Sequence, residues 1–216
     1  MAVSGIDSLL YRDQFSTPAM REVFDDTSTL QKFLDMEAAL ARAEAKLGII
    51  PESAAEQITK SADMKLYDFD DMRAEMARTS HPIVPLVRAM AAQCEKQGDK
   101  KAGEYVHWGA TTQDVMDTGL VLQMKDAVDL VREGLDELAA NCVKLAKEHR
   151  DSPMAGRTHG QQALPITFGY KVAVWLDEVR RQRERRVAIN VGQRRVCPSL
   201  EQRSHTTVMA ISSSPR

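Results

Sequence analysis

Three short segments of the sequence place a histidine within a few residues of hydroxyl side chains and of glycine or proline. They are Thr79-Ser80-His81-Pro82, the segment from His107 to Asp114, and Gly156-Arg157-Thr158-His159-Gly160. Hydroxyls and free backbone N–H groups bind carboxylates or phosphates, and an imidazole that titrates near neutral pH can transfer a proton. The combination predicts a site that binds an anion and moves a proton.

His159 is the candidate for the proton-transferring group. Its neighbour Thr158 offers a hydroxyl, and the flanking Gly156 and Gly160 allow the backbone to approach a ligand closely. The alternative is a loop histidine that only satisfies backbone carbonyls, which would be preferred for an isolated histidine. The two other histidine-containing segments favour a functional role for His159.

The segment Thr111-Thr112-Gln113 stands at the predicted start of a long helix. Free N–H groups and the positive end of the helix dipole make such a position suitable for a carboxylate or a phosphate. Simple N-capping by Thr112 is the alternative, and one structure can satisfy both.

The other two histidines of these segments are candidates for the same pocket. Ser80 and His81 lie at a break between helices, where Pro82 fixes the turn. A plain interhelical corner is the alternative there. His107 precedes Trp108-Gly109 and is expected to contact the same ligand, or else to pack under Trp108.

Composition limits the class of protein. The 216 residues carry a net charge of −2, with 43% hydrophobic and 5% aromatic residues, which favours helix over sheet and gives no sign of nucleic-acid or membrane-surface binding. No apolar run reaches the length of a membrane span. Three scattered cysteines without a CxxC pair predict reduced thiols in a cytoplasmic protein, with no zinc site.

The elements that must position these residues are helices. Apolar residues three and four apart predict one helix from about Thr112 to about Arg150, and another apolar face runs from Phe33 to Leu47. The seam of the long helix consists of Val121, Met124, Val128, Val131, Leu135, Leu138, Cys142 and Leu145. Residues 153–164 are expected to form a loop and Pro165 to begin a further helix to about Arg186. The predicted fold class is all-α, with no strand.

The segments TSHPIVPLV, VHWGATTQDVMDTG and GRTHGQQALPITFG, in this order, resemble the fumarase/aspartase superfamily, in particular its adenylosuccinate lyase and 3-carboxy-cis,cis-muconate cycloisomerase branch. The resemblance covers roughly residues 8–193. It implies a small N-terminal helical domain (1–110) and the start of a long-helix bundle (111–190). The tail (191–216) diverges from the family, and its low hydrophobicity predicts that it is poorly ordered. The family forms homotetramers in which three subunits build each active site.

The family's reaction is β-elimination from a succinyl substrate, usually with release of fumarate and without a metal or an organic cofactor. By motif match, His159 would protonate the leaving nitrogen. The residues that would bind substrate are Thr158, Thr111, Thr112, Gln113, Ser80, His81 and His107.

Two departures from the family leave the function open. Gln14-Phe15 stand before Ser16-Thr17-Pro18 where adenylosuccinate lyases carry Arg-Tyr, so the N-terminal region is more similar to the cycloisomerases. The glycine-serine loop that bears the family's serine base is not found, so we expect a chain truncated after about residue 193. The alternatives are therefore an adenylosuccinate-lyase-like C–N lyase, a muconate cycloisomerase, and a catalytically inactive helical oligomerisation fragment.

Overall fold

A computed structural model of the chain describes residues 4–97 and 101–192, with the side chains of 186–192 excepted. The predicted tail from residue 191 lies outside these residues, apart from the last two residues of the final helix. Within the described part the chain forms two compact units, one running to Ala127 and the other beginning at Val128. The domain boundaries at 110 and 190 stay a prediction.

Eight α-helices account for most of the described residues, and the predicted all-α class is confirmed. The helices are α1 (Arg12–Phe15), α2 (Pro18–Val23), α3 (Asp26–Lys46), α4 (Glu52–Lys60), α5 (Phe69–Thr79), α6 (Val84–Lys96), α7 (Thr112–Glu148) and α8 (Phe168–Gly192). Side-chain caps begin two of them: Thr17 Oγ1 accepts from the Met20 N–H, and the Asp68 side chain accepts from the N–H groups of Asp70 and Asp71.

The first unit packs α3 against α4 and α5 against α6 around one apolar core. Its members include Leu34, Ile58, Leu86 and Met90, which are almost fully buried. The buried face of α3 differs from the predicted one, since Leu47 is exposed and the buried residues are Leu34, Glu37, Ala38, Ala41 and Glu44. Two carboxylic side chains thus lie inside this unit.

The first part of α7 is fixed on α3 and on the end of α2. Gln123 Nε2 donates to the carbonyl of Val23 at 2.8 Å and to Thr29 Oγ1 at 2.9 Å, and Gln123 is buried. Lys32 forms an ion pair with Asp126 at 2.7 Å. These contacts hold the N-terminal end of α7 in place, as the candidate site requires.

The long helix predicted after Thr112 is confirmed, with 37 residues and an end two residues before the expected one. Its predicted seam is largely uncovered. Val121, Met124, Val131, Leu138 and Leu145 are all exposed, whereas Cys142 is buried. A continuous apolar stripe of this kind is typical of a helix that packs against further helices.

The expectation of a loop at 153–164, with no strand, is wrong. Strands β1 (Pro153–Thr158) and β2 (Gln161–Thr167) form an antiparallel hairpin, and α8 begins at Phe168 rather than at Pro165. Pro165 pairs with Ala155. A two-stranded sheet has only edge strands, where a proline without an N–H is tolerated.

The base of the hairpin is fixed to the end of α7. The Gly169 N–H donates to the carbonyl of His149 at 2.9 Å, and the Phe168 N–H donates to that of Ser152 at the same distance. A Cβ on Gly169 would lie 2.6 Å from the carbonyl oxygen of Ala146. Glycine is therefore required where α8 begins, because the backbones of α7 and α8 approach too closely for any side chain.

Candidate functional site

Two of the predicted segments meet in the first unit. His81 Nε2 lies 3.3 Å from Thr112 Oγ1, although the two residues are 31 positions apart. His81 Nδ1 accepts from the N–H groups of Ile83 and Val84 at 3.4 and 3.3 Å. Since Nδ1 is an acceptor, we assign the proton of the neutral ring to Nε2.

That tautomer determines what the Thr112 hydroxyl can do. Thr112 Oγ1 accepts from His81 Nε2–H, so its own proton is free to be donated elsewhere. His81 therefore orients Thr112 as a hydrogen-bond donor at the start of α7. A carboxylate oxygen is the acceptor that such a donor fits.

The first turn of α7 adds further donors. In general the first four N–H groups of a helix have no partner within it, and the helix dipole attracts negative charge to them. The N–H of Thr111 donates to the Asp114 carboxylate at 2.9 Å, the return half of a capping box. Thr111 is thus the N-cap residue, where the alternative interpretation of the sequence placed Thr112.

Gln113 points along the helix rather than beyond it. Its amide donates to Asp117 Oδ1 at 2.5 Å, one turn later, and its side chain is exposed. Gln and Asp side chains four positions apart on a helix lie close enough to form such a hydrogen bond. A role for Gln113 in binding substrate would require its side chain to leave Asp117.

His107 forms a close pair with a buried carboxylate. Its Nδ1 lies 2.6 Å from Glu37 Oε1, and Glu37 is 1% exposed. The hydrogen bond to Glu37 raises the pKa of His107, partly offset by burial, and the charge of Asp114 raises it further. The neighbouring rings of Tyr105 and Trp108 lie 5.9 Å apart, so the indole packs on the tyrosine.

Glu44 follows Glu37 by two turns of α3 and lies just as deep. Neither of its carboxyl oxygens has a hydrogen-bond partner among the described residues. Burial, and then the charge of Glu37, raises the pKa of Glu44 to about 7. A Cβ added to Gly109 would lie 3.7 Å from Glu44 Oε1, so this carboxyl faces the segment between His107 and Thr111.

Three site residues adopt the left-handed backbone conformation that L side chains rarely adopt. They are Ser80, His107 and His159, with φ of 52°, 63° and 48°. Ser80 is the C-cap of α5, and its N–H donates to the carbonyl of Met76 at 2.8 Å. Such conformations persist where surrounding contacts impose them, and they cluster at functional sites.

His159 lies at the tip of the hairpin in the second unit. Thr158 pairs with Gln161, which leaves a two-residue turn of His159 and Gly160, both with positive φ. Positive φ at both positions is typical of a type I′ turn, whose twist matches that of the strands. Thr158 and His159 are both exposed, so the imidazole is presented to solvent at the end of a two-stranded arm.

Neither metal binding nor a membrane span is indicated for the part of the chain that the structure describes. No group of three or more His, Cys, Asp or Glu side chains there is arranged to hold a metal ion. Among the same residues no helix has both the length and the apolar character to cross a membrane.

The comparisons with known proteins agree with the motifs. A family model described as lyase matches residues 12–195. The chain belongs to the fumarase/aspartase superfamily of lyases. It is 46% identical over 180 residues to N-acetyl-S-(2-succino)cysteine lyase of Enterococcus italicus, covering 83% of this chain and 38% of that protein. It is 45% identical over 172 residues to adenylosuccinate lyase of Methanothermobacter thermautotrophicus, covering 80% and 37%.

Solved structures of the superfamily share the fold. The 3-carboxy-cis,cis-muconate lactonizing enzyme from Pseudomonas putida superposes with a TM-score of 0.79 and 42% identity, over 84% of this chain and 41% of that chain. The chain spans about two fifths of the length of the curated lyases it matches.

Sequence reasoning missed Glu37 and Glu44. Their spacing of seven on α3, with Ala38 and Ala41 between them on the same face, was the available signal. Small residues on that face leave room for two carboxylic side chains inside. Apolar spacing alone does not count acidic residues as buried, so it predicts the neighbouring face of α3, from Phe33 to Leu47, instead.

Proposed function

We propose that this lyase-family chain contributes to β-elimination from a succinyl substrate, with fumarate as a product, as in an adenylosuccinate-lyase-like C–N lyase. The observation that carries the proposal is the 3.3 Å contact between His81 and Thr112. It joins two predicted substrate-binding segments and leaves a hydroxyl donor at the N-terminus of a 37-residue helix.

The substrate carboxylate has a defined place in this proposal. The Thr112 hydroxyl and the first-turn N–H groups of α7 donate to one carboxylate of the succinyl group. When a proton leaves the carbon next to that carboxylate, negative charge develops on its oxygens. Donors that are already oriented then stabilise the charge without reorganising.

The departing nitrogen needs a proton, and we assign this step to His159. Its place in an exposed turn leaves the imidazole uncovered within one copy, and Thr158 beside it adds a hydroxyl for the substrate. Ser80, Thr111, Gln113 and His107 are proposed to line the binding site. We assign no residue of this chain to the base.

Two other substrate classes have a specific observation in their favour. The lyase of Enterococcus italicus is named for a thioether of succinate, and the Pseudomonas putida enzyme for a carboxymuconate. The test is release of fumarate, or loss of carboxymuconate, from a panel of adenylosuccinate, N-acetyl-S-(2-succino)cysteine and carboxymuconate. Turnover of the first supports the C–N lyase proposal, and turnover of either of the others reassigns the substrate.

We also propose that the protein is a homo-oligomer, a tetramer by the family resemblance, and that it works in the cytoplasm. The exposed seam of α7 supports the first point, because apolar side chains at Val121, Met124, Val131, Leu138 and Leu145 remain uncovered within one copy. The odd number of widely separated cysteines, which is not typical of a disulfide framework, supports the second.

Replacing Val131 and Leu138 together with glutamine is expected to weaken self-association at least ~10-fold, since each fully buried aliphatic side chain contributes about 1.5–3 kcal/mol. Sedimentation velocity across a concentration series measures the change. The matched control replaces Glu133 and Glu137, exposed on the same helix, with glutamine. Equal association of the two double variants would show that the seam is not the interface.

A further inference from the structure

The contact between His107 and Glu37 joins the substrate-binding segment to the interior of the first unit. Glu37 Oε1 lies 2.6 Å from His107 Nδ1, a distance typical of a charge-assisted hydrogen bond. The other carboxyl oxygen of Glu37 has no hydrogen-bond partner among the described residues. The carboxylate is thus committed to one partner, the imidazole.

The backbone of His107 needs such a restraint. Its φ is 63°, and Gly109 two residues later has a φ of 68°. Two positive-φ residues close together turn the chain just before Thr111 and Thr112. Because a non-glycine residue does not favour that conformation, the side-chain contact at His107 supports the turn by offsetting part of its cost.

The Nε2 side of the His107 ring is open to a ligand. The His107 side chain keeps 19% of its surface exposed, and no described residue hydrogen-bonds its Nε2. The charged groups around the ring are acidic: Glu37 from α3 and Asp114 from α7 both favour the imidazolium, and Glu44 of α3 lies beneath Gly109. An imidazolium held at Nδ1 by a carboxylate has one remaining donor, Nε2–H.

We propose that Glu37 is a positioning residue that holds His107 through Nδ1, so that Nε2–H donates to a carboxylate of the dicarboxylate substrate. This inference rests on the proposed function. Glu37 does not itself touch substrate in this account. It fixes the ring orientation, keeps the ring cationic, and maintains the turn that leads to Thr111.

The pairing can be tested without catalysis. Side-chain NMR of the 216-residue chain, labelled at histidine nitrogens, gives the pKa of each histidine between pH 5 and 9. We expect His107 to titrate above an ordinary histidine and Glu37→Gln to bring its pKa down. The matched control is Glu56→Gln, an exposed glutamate of α4, which should leave His107 unchanged. A wild-type His107 with an ordinary pKa would overturn the proposal, and this needs no variant to fold.

Fumarate binding separates a positioning role from a purely structural one. Fumarate remains a dianion over the range used. Glu37→Gln is expected to weaken fumarate binding roughly 10-fold or more at pH 7.5, from the loss of a charged hydrogen bond. Binding should recover toward the wild-type value at pH 5.5, because the ring then takes up a proton without help from Glu37. The conservative Glu37→Asp, which keeps the charge, should retain part of the affinity at pH 7.5.

The outcomes are distinguishable. Equal loss of binding at both pH values would mean that Glu37 only supports the fold, and no loss at either would mean that it is not needed; both overturn the inference and leave the proposed function standing. Failure of the wild-type protein to bind fumarate, both as the 216-residue chain and joined to the remaining part of a superfamily relative, would contradict the proposed function and the positioning role together. The NMR titration would still decide whether the Glu37–His107 pair exists.

Discussion

Replacing His159 with asparagine is expected to lower kcat for a succinyl substrate about 100- to 10,000-fold, the usual contribution of a general acid. Asparagine tolerates a left-handed conformation and is favoured in type I′ turns, so the hairpin tip should keep its shape. The imidazole alone is removed. KM should change little by comparison, because His159 acts on the leaving nitrogen rather than on the bound carboxylates.

The assay for His159→Asn is steady-state release of fumarate, in whichever form of the protein turns over the substrate. Glu56→Gln serves as the unaffected control, and circular dichroism checks that the variant folds. Full activity of His159→Asn would remove His159 from the mechanism. A raised KM with kcat largely unchanged, together with weaker fumarate binding, would instead indicate a binding role.

The stability of the first unit is expected to depend on pH through Glu44. Its pKa is raised from 4.5 to about 7 in the folded chain, chiefly by burial. Below pH 4.5 both folded and unfolded chains hold the proton, and the contribution to stability is fully present. As the pH rises through about 7 the folded chain must accept a buried charge, and up to ~3 kcal/mol of stability is lost.

Glu44→Gln removes this titration while keeping the size of the side chain. We expect the free energy of unfolding of the variant, relative to wild type, to increase by as much as ~3 kcal/mol between pH 5 and pH 8. Urea unfolding at the two pH values measures it, with Glu56→Gln as the exposed control. A variant-to-wild-type difference that is the same at both pH values would show that Glu44 does not take up its proton in this range.

The long helix shows what sequence periodicity can predict. Its start at Thr112 and its end near Arg150 followed from an uninterrupted three-four spacing without proline, and the structure places the helix at Thr112–Glu148. The spacing of apolar residues is a property of one continuous segment, and the same spacing continues along the whole helix. The hairpin after this helix depends on hydrogen bonding between two separate segments, and the spacing of apolar residues within either segment does not predict that pairing.

The hairpin was missed for identifiable reasons. The sequence pattern predicts a helix start at Pro165, yet this residue pairs with Ala155 in a sheet made only of edge strands. The sequence predicts a ligand-binding loop at His159-Gly160, whereas the two positive φ values make this dipeptide a turn between strands. Both interpretations of His159-Gly160 are compatible, because a type I′ turn is also a way to present one side chain.

The sequence predicts the segments that carry the site residues, but only part of how these segments contact one another. The contact of His81 with Thr112 spans 31 residues and joins the segment before α6 to the start of α7, which local pattern does not fix. The partner of His107 was found only in the structure, because a buried Glu37 conflicts with the rule that charged residues face solvent. Pairing with an imidazole offsets part of the cost of that burial.

The central claim is that these residues bind and process a succinyl dicarboxylate, and the most direct measurement is turnover of the three-substrate panel. Because the chain spans about two fifths of its relatives, it is assayed both as the 216-residue polypeptide and joined to the remaining part of a superfamily relative. The account predicts fumarate release from adenylosuccinate in at least the joined form, lost on Thr112→Val. A joined protein that folds and assembles but neither binds fumarate nor turns over any of the three substrates would contradict it.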